Sequence, residues 1–422
     1  MKIALIEPKT VAYSSFITKL KANFSPYPTL CLQQLVGNTP DGHKIKVISE
    51  RSKDIKFNID ADLIGITCVT PQASRAYELA DEFRRRRKTV VLGGWHPSVL
   101  PYEAKQHADA VVIGEADYLW PELIQDFQQK KLKSFYRNKK PVDLTSIKNP
   151  IRKVGSEVQL IAAVQASRGC PMGCEFCGVS NSQHGRIFRR RPIDKVIEDL
   201  KTVKQKKIWF YDPSLTINPR FTKELFKAMK ELDKKFTCFG NIDVLAKDNE
   251  LLKLSREAGC QKWFIGIESV SQKTIDQLGK KSNKVERYEP SIKKIHDYGM
   301  LVIGGFIFGF DGDTPDVFDA TVEWVNKLKI DIPEFTILTP YPGTPLFERL
   351  KKENRILTYD WSRYTEKGNV VFQPKNMTHE TLLNGQRRVS KQINSFSGTI
   401  KRALNNKQFL VKTIKNNVLN IF

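Results

Sequence analysis

Three cysteines within one short segment are the residues of this sequence whose types and spacing most directly predict chemistry. Cys170, Cys174 and Cys177 form a C-x3-C-x2-C triplet, and the glycines and proline around them predict a loop. Closely spaced thiolates are typical ligands of iron–sulfur clusters, because soft sulfur suits iron and glycine lets the backbone wrap the cluster. Three ligands rather than four leave one iron open to bind a substrate or a cofactor directly.

The spacing alone leaves two other interpretations open. The triplet could belong to a zinc site completed by a distant histidine, or the three cysteines could simply pack in the interior. The chain has seven cysteines, an odd number, and three of them lie inside eight residues. This distribution favours a reducing compartment and a metal site over a disulfide framework.

The elements that must position the triplet alternate between strand and helix. The triplet directly follows the first of six strand candidates, and six βα units in about 190 residues predict a partial barrel with its chemistry at the C-terminal strand ends. The strand candidates are Leu160–Gln165, Ile208–Tyr211, Phe236–Asn241, Trp263–Ile267, Val302–Phe308 and Phe335–Leu338. The clearest helical patterns between them are Ile193–Val203, Thr222–Leu232 and Asn249–Glu257.

The first 130 residues carry a second alternating pattern. Near-continuous apolar strands separated by helices predict a doubly wound parallel sheet covered on both faces. Glycines that follow such strands let a ligand approach the backbone at the carboxyl edge of the sheet. The strand candidates are Ile3–Ile6, Ile45–Ile48, Leu63–Val69, Val90–Leu92 and Ala110–Ile113, with helical patterns at Ala73–Arg86 and Leu119–Gln129.

These patterns divide the chain into four parts. We expect a Rossmann-type domain over residues 1–135, a linker over 136–155, a partial barrel over 156–350 and a basic, mostly helical region over 351–422. From Thr381 to Phe422 there are eight Lys or Arg residues and no acidic residue. Apolar residues from Phe409 to Phe422 recur at roughly helical spacing, which predicts an amphipathic helix.

The cysteine triplet, with Phe176 before its last cysteine and a barrel strand before its first, resembles the radical S-adenosylmethionine (SAM) superfamily. The resemblance implies that the three cysteines bind a 4Fe–4S cluster whose fourth iron chelates SAM. It also implies reductive SAM cleavage, hydrogen abstraction from an unactivated carbon, and an external electron donor of the flavodoxin or ferredoxin type.

Other segments resemble landmarks of the same superfamily in the order that a barrel requires. Glu268 and Ser269 follow the fourth barrel strand, as a ribose-contacting segment does. Gly305, Ile307 and Gly309 resemble the G-x-I-x-G strand that flanks the SAM adenine. The second strand ends in Asp212, where the family usually carries a Gly-Gly-Glu type segment for the methionine amine.

The N-terminal half resembles the cobalamin-binding domains that are fused to some radical SAM barrels. The segment Gly93-Gly94-Trp-His96-Pro, the pair Gly114-Glu115, and a strand that runs into Thr70 carry this resemblance. It implies cobalamin contacts at these residues and membership in the class B methyltransferase-like branch. The D-x-H-x-x-G motif is absent, so no axial histidine is expected from it, and His96 taken alone is more typical of a hydrogen-bonded loop histidine.

The resemblance implies cobalamin-dependent C-methylation of a lipid, an isoprenoid or another small molecule. The alternative keeps the radical chemistry but ends in carbon–carbon coupling, cyclisation or rearrangement. A less favoured alternative is an RNA-modifying or RNA-binding protein.

Charge and hydropathy limit the partners. The chain is 40% apolar, which excludes a disordered protein, and its formal net charge of +23 indicates an anionic partner. No RNA-binding module is recognisable, so nucleic acid is not the expected partner. The longest uninterrupted apolar run, Met300–Phe310, has about half the length of a membrane span. The N-terminal apolar stretch Ile3–Ile6 is too short for a secretory segment, so a cytoplasmic protein is expected. The basic tail predicts peripheral contact with an anionic membrane or, alternatively, a helix docked on the barrel.

Overall fold

The computed structural model describes residues 1–10, 30–51, 54–152, 160–280 and 282–395, together with Gly398 and Arg402. The first of its two large sheets is parallel throughout and has the strand order β2-β1-β3-β4-β5-β6. Its strands are β1 Lys2–Glu7, β2 Lys44–Ser49, β3 Leu63–Thr67, β4 Thr89–Gly93, β5 Ala110–Ile113 and β6 Phe135–Arg137. The predicted parallel sheet is therefore confirmed, with one strand more than the sequence indicated.

Helices cover both faces of this sheet because its strands carry apolar side chains on both sides. One face packs against α2, and the other packs against α1 and α5, so two separate apolar cores result. The helices are α1 Leu30–Asn38, α2 Ala73–Arg85, α3 Trp95–Val99, α4 Pro101–His107 and α5 Leu119–Gln128. The doubly wound arrangement is confirmed.

The sixth strand was missed because β6 has three residues and only Tyr136 among them is buried. So short a segment gives no period-two signal. The domain boundary expected after residue 135 falls inside this strand, which is paired with β5. The N-terminal unit therefore continues at least to Arg137.

The second large sheet is also parallel and runs in sequence order, β7-β10-β11-β12-β13-β14. Its two end strands are not paired with each other in the described residues, so the sheet is an open barrel, as predicted. The strands are β7 Ile161–Val164, β10 Lys207–Phe210, β11 Lys235–Gly240, β12 Cys260–Glu268, β13 Leu301–Phe308 and β14 Ile332–Ile337. A separate antiparallel pair joins β8 Ser167–Arg168 to β9 Arg189–Arg190.

The barrel strands alternate between a packed face and an open face. On β12, Trp263, Ile265 and Ile267 are buried against the surrounding helices, whereas Phe264 and Glu268 are partly exposed. The open face therefore lines the barrel interior. The surrounding helices are α6 Gly178–Asn181, α7 Ile193–Thr202, α8 Pro219–Met229, α9 Ile242–Lys247, α10 Asn249–Glu257, α11 Gln272–Gln277, α12 Tyr288–Asp297, α13 Val317–Lys327 and α14 Pro345–Lys352.

Residues 353–378 are not helical apart from the 3-10 turn Trp361–Arg363, which differs from the mostly helical region expected there. The reason is that neighbouring side chains enter different cores. Val371 packs in the N-terminal domain and Phe372 packs in the barrel. An extended backbone sends successive side chains to opposite sides, as this arrangement requires.

The last described helix, α15 His379–Ile393, packs on β14 and α13. Its Gln386 Nε2 donates a hydrogen bond to Phe335 O at 3.0 Å, so the helix covers the free edge of the barrel sheet. The amphipathic segment expected from Phe409 to Phe422 lies outside the described residues. Among the described helices, none is long and apolar enough to cross a membrane.

Candidate active site

The cysteine triplet lies on a loop whose two ends are joined by the β8–β9 ribbon. Cys170 N donates to Gly185 O at 2.8 Å, which closes the loop further. Gly169 adopts φ +87°, and a Cβ at this position would overlap Ile187 O. Only glycine fits such a crossing, so the sequence around the first cysteine is dictated by the shape of the loop.

Asp212 anchors the start of this loop. Its carboxylate accepts hydrogen bonds from Ala166 N at 3.1 Å and from Ser167 Oγ at 2.6 Å. Burial raises the pKa of Asp212 to about 6, against the opposing effect of these hydrogen bonds. The expected SAM contact therefore has its oxygens directed at the loop.

The three thiols form a donor set that suits a cluster. Burial raises the pKa of Cys170, and it raises the pKa of Cys174 to about 11; the neighbouring thiols add to both effects. Metal binding favours the thiolate that burial disfavours. Among the described residues, no three His, Cys, Asp or Glu side chains are arranged to hold a single metal ion. Three thiols on one loop match the ligand chemistry of an iron–sulfur cluster with one open iron.

Glu268 stands at the end of β12 in an unusual backbone conformation. Its φ is +63°, and the pairing of β12 with β13 shifts register between Gly266 and Glu268. Glu268 Oε1 accepts a hydrogen bond from Lys280 Nζ at 2.5 Å, and Lys280 Nζ also donates to Gly266 O at 2.7 Å. A non-glycine residue in the left-handed region at a bulge is typical of functional sites. Ser269 beside it is buried, and its Oγ accepts from Ser271 N at 3.1 Å.

The G-x-I-x-G segment lies on β13 and just after it. A Cβ on Gly305 would lie 3.1 Å from the Phe264 ring, so this glycine keeps the inner face of the barrel flat. Ile307 is partly buried on the same face. Gly309 has φ +105°, and Asp313 accepts from Gly309 N at 2.9 Å, which holds the strand end.

A cavity of about 420 Å³ opens at the carboxyl edge of the N-terminal sheet. It runs between the sheet and helices α1 and α5, and its mouth faces the barrel. The walls are mostly apolar and include Leu5, Leu35, Gly65, Thr67, Val91, Gly93, Gly94, Val112, Gly114, Glu115 and Trp120, with Gln165, Arg168 and Tyr211 from the barrel side. A large, partly apolar cofactor tail fits such a slot.

The glycines at the cavity edge pack closely against neighbouring protein atoms, so a side chain at either position would collide with them. Gly94 has φ +101°, and a Cβ there would lie 2.6 Å from Cys68 O. Gly114 has φ +85°, and a Cβ there would lie 2.9 Å from Gln183 Oε1. Gln183 Oε1 is buried and has no hydrogen-bond partner among the described residues, so this edge holds an acceptor without a donor.

Thr70 and His96 do not line the cavity. His96 is fully buried, with Nδ1 3.3 Å from Thr70 Oγ1 and Nε2 3.2 Å from Glu103 Oε1. Glu103 Oε1 also accepts from Trp361 Nε1 at 2.9 Å. The structure thus places these two expected cofactor contacts in a polar network with the C-terminal segment, while Thr67 lines the cavity instead.

Sequence patterns did not indicate which side chains join the two regions, Trp95 and Glu115 among them. A Cβ on Gly178, directly after the last cysteine, would lie 3.2 Å from the Trp95 ring. Glu115 is paired with Arg189, at 2.6 Å and 2.9 Å, and so is engaged across the domain interface. Arg168, a charged residue two positions before Cys170, is the sequence signal that could have indicated an ion pair across this interface.

Comparisons with known proteins agree with this geometry. The model of the radical SAM superfamily matches residues 164–325, and the model of the B12-binding domain matches residues 50–124. The chain is therefore a radical SAM enzyme with a B12-binding domain. It is 34% identical over 382 residues to bacteriochlorophyllide d C-8(2)-methyltransferase of Chlorobaculum tepidum, covering 86% of this chain and 84% of that one.

A second relative is bacteriochlorophyllide d C-12(1)-methyltransferase of the same organism, 31% identical over 356 residues, with 81% and 76% of the two chains covered. The methyltransferase TsrM from Kitasatospora setae, solved with tryptophan and a SAM analogue, shares the fold with a TM-score of 0.70 at 16% identity, covering 97% of this chain and 88% of that one. The chain belongs to the family of cobalamin-dependent radical SAM methyltransferases. Its cofactors are a 4Fe–4S cluster, SAM and cobalamin, as the sequence predicted.

Proposed function

We propose that Cys170, Cys174 and Cys177 hold the cluster and that SAM binds at its open iron along the mouth of the barrel. Phe176, which packs 6.1 Å from Phe310 between ring centroids, shields this position. The SAM contacts on the barrel are Glu268, Ser269, Gly305, Ile307 and Gly309. Asp212 acts on SAM through the loop that it anchors.

Cobalamin occupies the cavity at the edge of the N-terminal sheet. Gly93, Gly94 and Gly114 line its wall, and the unpartnered Gln183 Oε1 accepts a hydrogen bond from it. We assign no contact to Thr70 or His96, because their polar side-chain atoms hydrogen-bond to each other and His96 also bonds to Glu103.

One observation supports methyl transfer above the others: the cysteine loop packs directly against the edge of this cavity. Trp95 touches Gly178, and Gln183 of the same loop touches Gly114. When bound, the cluster supplies the electron that cleaves SAM and the cobalamin supplies the methyl group. The chain's residues hold the two cofactors side by side and keep water out of the space between them.

The substrate is a ring-bearing, largely apolar small molecule. Aromatic side chains line the inner barrel face, with Phe239 and Phe264 4.8 Å apart and Trp209 6.2 Å from Phe239 between ring centroids. Flat aromatic surfaces favour flat or polycyclic substrates. The two relatives named above are bacteriochlorophyllide methyltransferases, which supports this class, and an isoprenoid lipid fits the same surface.

A polar pair at the barrel mouth offers the substrate one anchor. Tyr341 OH donates to Glu366 Oε1 at 3.3 Å, and Ile337 N at the end of β14 donates to Glu366 O at 2.8 Å. The pair lies at the carboxyl end of β14, on the rim of the barrel, where it can fix one polar group of an otherwise apolar substrate.

The reconstituted chain tests this function with SAM that carries a deuterated methyl group. Pigment and lipid extracts are supplied in separate arms, and a product heavier by one labelled methyl group is expected together with S-adenosylhomocysteine and 5′-deoxyadenosine. The Cys174→Ala variant is expected to lose the cluster and both nucleoside products. A product that has lost hydrogen without gaining label would instead favour coupling or cyclisation.

An acidic flavodoxin or ferredoxin serves as electron donor. The outer side of the cysteine loop presents exposed Met172 and Ile187 next to the exposed Arg186. Such a basic surface attracts acidic partners. Cluster reduction by flavodoxin should slow with added salt and with Arg186→Glu, and a rate indifferent to both would exclude this docking site.

The basic tail brings the enzyme to the cytoplasmic face of an anionic membrane, where lipid substrates are found. The support is the acid-free sequence from Thr381 onward. Flotation with vesicles of phosphatidylglycerol compares the full chain with a truncation after Ser397. Equal binding of the two would rule the tail out as the contact.

A further inference from the structure

Four charged side chains, one buried and three half-buried, join the cysteine loop to the edge of the cobalamin cavity. We call Glu115, Asp117, Arg168 and Arg189 the interdomain clamp. Arg189 binds Glu115 through both of its terminal nitrogens, at 2.6 Å and 2.9 Å. Arg168 binds Asp117 in the same way, at 2.6 Å and 3.1 Å, and lies 3.6 Å from Glu115.

The clamp is shielded from water. Side-chain exposure is 15% for Arg168, 5% for Asp117, 13% for Arg189 and 23% for Glu115. Two-point pairing between arginine and carboxylate fixes both distance and angle. Removing one partner of such a pair leaves an uncompensated buried charge, so the pairs tolerate little change in geometry.

Further hydrogen bonds hold the acidic partners in place. Asn38 Nδ2 donates to Asp117 Oδ1 at 3.2 Å, and Asn138 Nδ2 donates to the backbone O of Glu115. Burial acts to raise the pKa of Asp117, but the charge of Arg168 and the hydrogen bonds from Arg168 and Asn38 together outweigh it and lower the pKa. The Asp117 carboxylate and the backbone of Glu115 are thus held by residues on the N-terminal side of the interface.

The position of the clamp relates the two cofactors to each other. Arg168 and Arg189 face each other across the β8–β9 ribbon that closes the cysteine loop. Arg168 is two residues before Cys170, and Glu115 directly follows Gly114. Only a few residues of the clamp therefore separate Cys170, the first cluster ligand, from Gly114 at the edge of the cavity.

We propose that the interdomain clamp positions the 4Fe–4S cluster and cobalamin relative to each other, and that Glu115 is a positioning residue rather than a cofactor contact. This proposal rests on the proposed function, since both cofactors must be present. A displacement of about 1 Å between reacting groups can lower a rate about 10²-fold. A clamp of fixed length would prevent such a displacement.

The test reverses the charges of one pair in the full chain. Glu115→Arg and Arg189→Glu each break the pair, and the double variant restores it with opposite polarity. Pulsed electron paramagnetic resonance measures the magnetic coupling between the reduced cluster and cob(II)alamin, which reports their distance without turnover. We expect a broadened or longer distance in each single variant and a return towards the original value in the double variant.

Product analysis adds a second readout. In the single variants, S-adenosylhomocysteine formation should fall about 10²-fold, while 5′-deoxyadenosine formation should change by less than about threefold, since the cluster and SAM sites are intact. Arg388→Glu, which breaks an exposed pair with Asp319 of 2.7 Å, is the matched control and should change neither product. Equal loss of both products would overturn a positioning role.

The clamp can also be tested without cobalamin. In the cofactor-free chain, hydrogen exchange at residues 114–117 and 167–190 should accelerate in each single variant and recover in the double variant. Unchanged exchange, or no recovery, would overturn the clamp. If cobalamin binding is lost in the single and double variants alike while exchange recovers, Glu115 is a cofactor contact and the proposal is wrong. A wild-type chain that binds no cobalamin would refute the proposed function without affecting the exchange result.

Discussion

At the scale of single residues, the site depends on groups that hold the loop as much as on those that bind cofactors. Asp212 has both carboxylate oxygens on the first residues of the loop. An aspartate at this place differs from the Gly-Gly-Glu type segment that the family usually carries after the second barrel strand. The position of Asp212 explains the difference. A buried acceptor of two backbone or hydroxyl donors is needed there, and aspartate supplies it.

The raised pKa of Asp212 predicts a pH dependence of stability. The folded-state pKa of about 6 lies above the ordinary value of 3.8, so the folded protein binds the proton more tightly than the unfolded chain does. This contribution is fully present below about pH 4 and is lost as the pH rises through 6, which amounts to about 3 kcal/mol. Denaturant unfolding of the cofactor-free chain between pH 4 and 7 should show this fall.

The Asp212→Asn variant should lack that part of the slope while keeping the hydrogen bonds of the loop. Asp313, whose pKa burial also raises to about 6, contributes a similar slope and remains in this variant. An unchanged profile in Asp212→Asn would show that Asp212 does not hold the proton.

Gly94 permits a second prediction at this scale. Gly94→Ala places a Cβ 2.6 Å from Cys68 O in a left-handed conformation, so both strain and overlap are expected. Gly42 has φ +83° with nothing within 4 Å of its Cβ position and serves as the control. Gly42→Ala should cost about 1 kcal/mol of unfolding free energy, and Gly94→Ala should cost about 1–3 kcal/mol more.

Cobalamin binding, measured by spectroscopic titration, should weaken in Gly94→Ala and stay unchanged in Gly42→Ala. Equal affinities in both variants would place the cofactor elsewhere.

At the scale of elements, most of the sheet structure could be predicted from the sequence and the clamp could not. The apolar runs indicated five N-terminal and six barrel strands because parallel strands buried on one or both faces leave a strong local pattern. The pairs between Glu115 and Arg189, and between Asp117 and Arg168, join residues 74 and 51 positions apart. No local pattern specifies such partners.

Helix α15 supports an element-scale prediction. Leu382 is fully buried, and its Cδ2 lies 2.8 Å from where a Cβ on Gly309 would be. Leu382→Ala should therefore lower the free energy of unfolding by about 2–5 kcal/mol and loosen the strand end that we assign to SAM. Denaturant unfolding measures the first effect, and SAM affinity by calorimetry measures the second. Thr381→Ala, at a more exposed neighbouring position, is the control and should leave SAM affinity unchanged.

At the scale of the whole molecule, the C-terminal segment makes the two domains depend on each other. Trp361 is 8% exposed, packs 5.1 Å from His96 between ring centroids, and donates to Glu103. Trp361→Ala should cost about 3–5 kcal/mol, whereas Trp361→Phe should cost less because it loses mainly the hydrogen bond. Hydrogen exchange should place the loss in the N-terminal domain, and protection lost only around the barrel would contradict this.

Internal ion pairs account for little of the net charge of +23, because their arginines are offset by carboxylates. Several arginines form ion pairs in the interior of the molecule. They are the two arginines of the interdomain clamp, and Arg152 and Arg191, which both pair with Asp199. The charge that remains for outside partners therefore lies on the surface of the cysteine loop, on the helices and in the tail. This is why total charge alone did not identify a partner.

The same C-terminal segment has a consequence for synthesis on the ribosome. The N-terminal sheet is complete once Arg137 has emerged, but Trp361, Tyr364 and Val371 belong to one of its two cores. Those residues are made roughly 230 positions later, which takes about 10 to 50 seconds at ordinary translation speeds. During that interval one apolar face of the first domain stands unfinished, so the nascent chain presents a binding surface to chaperones that the mature enzyme no longer has.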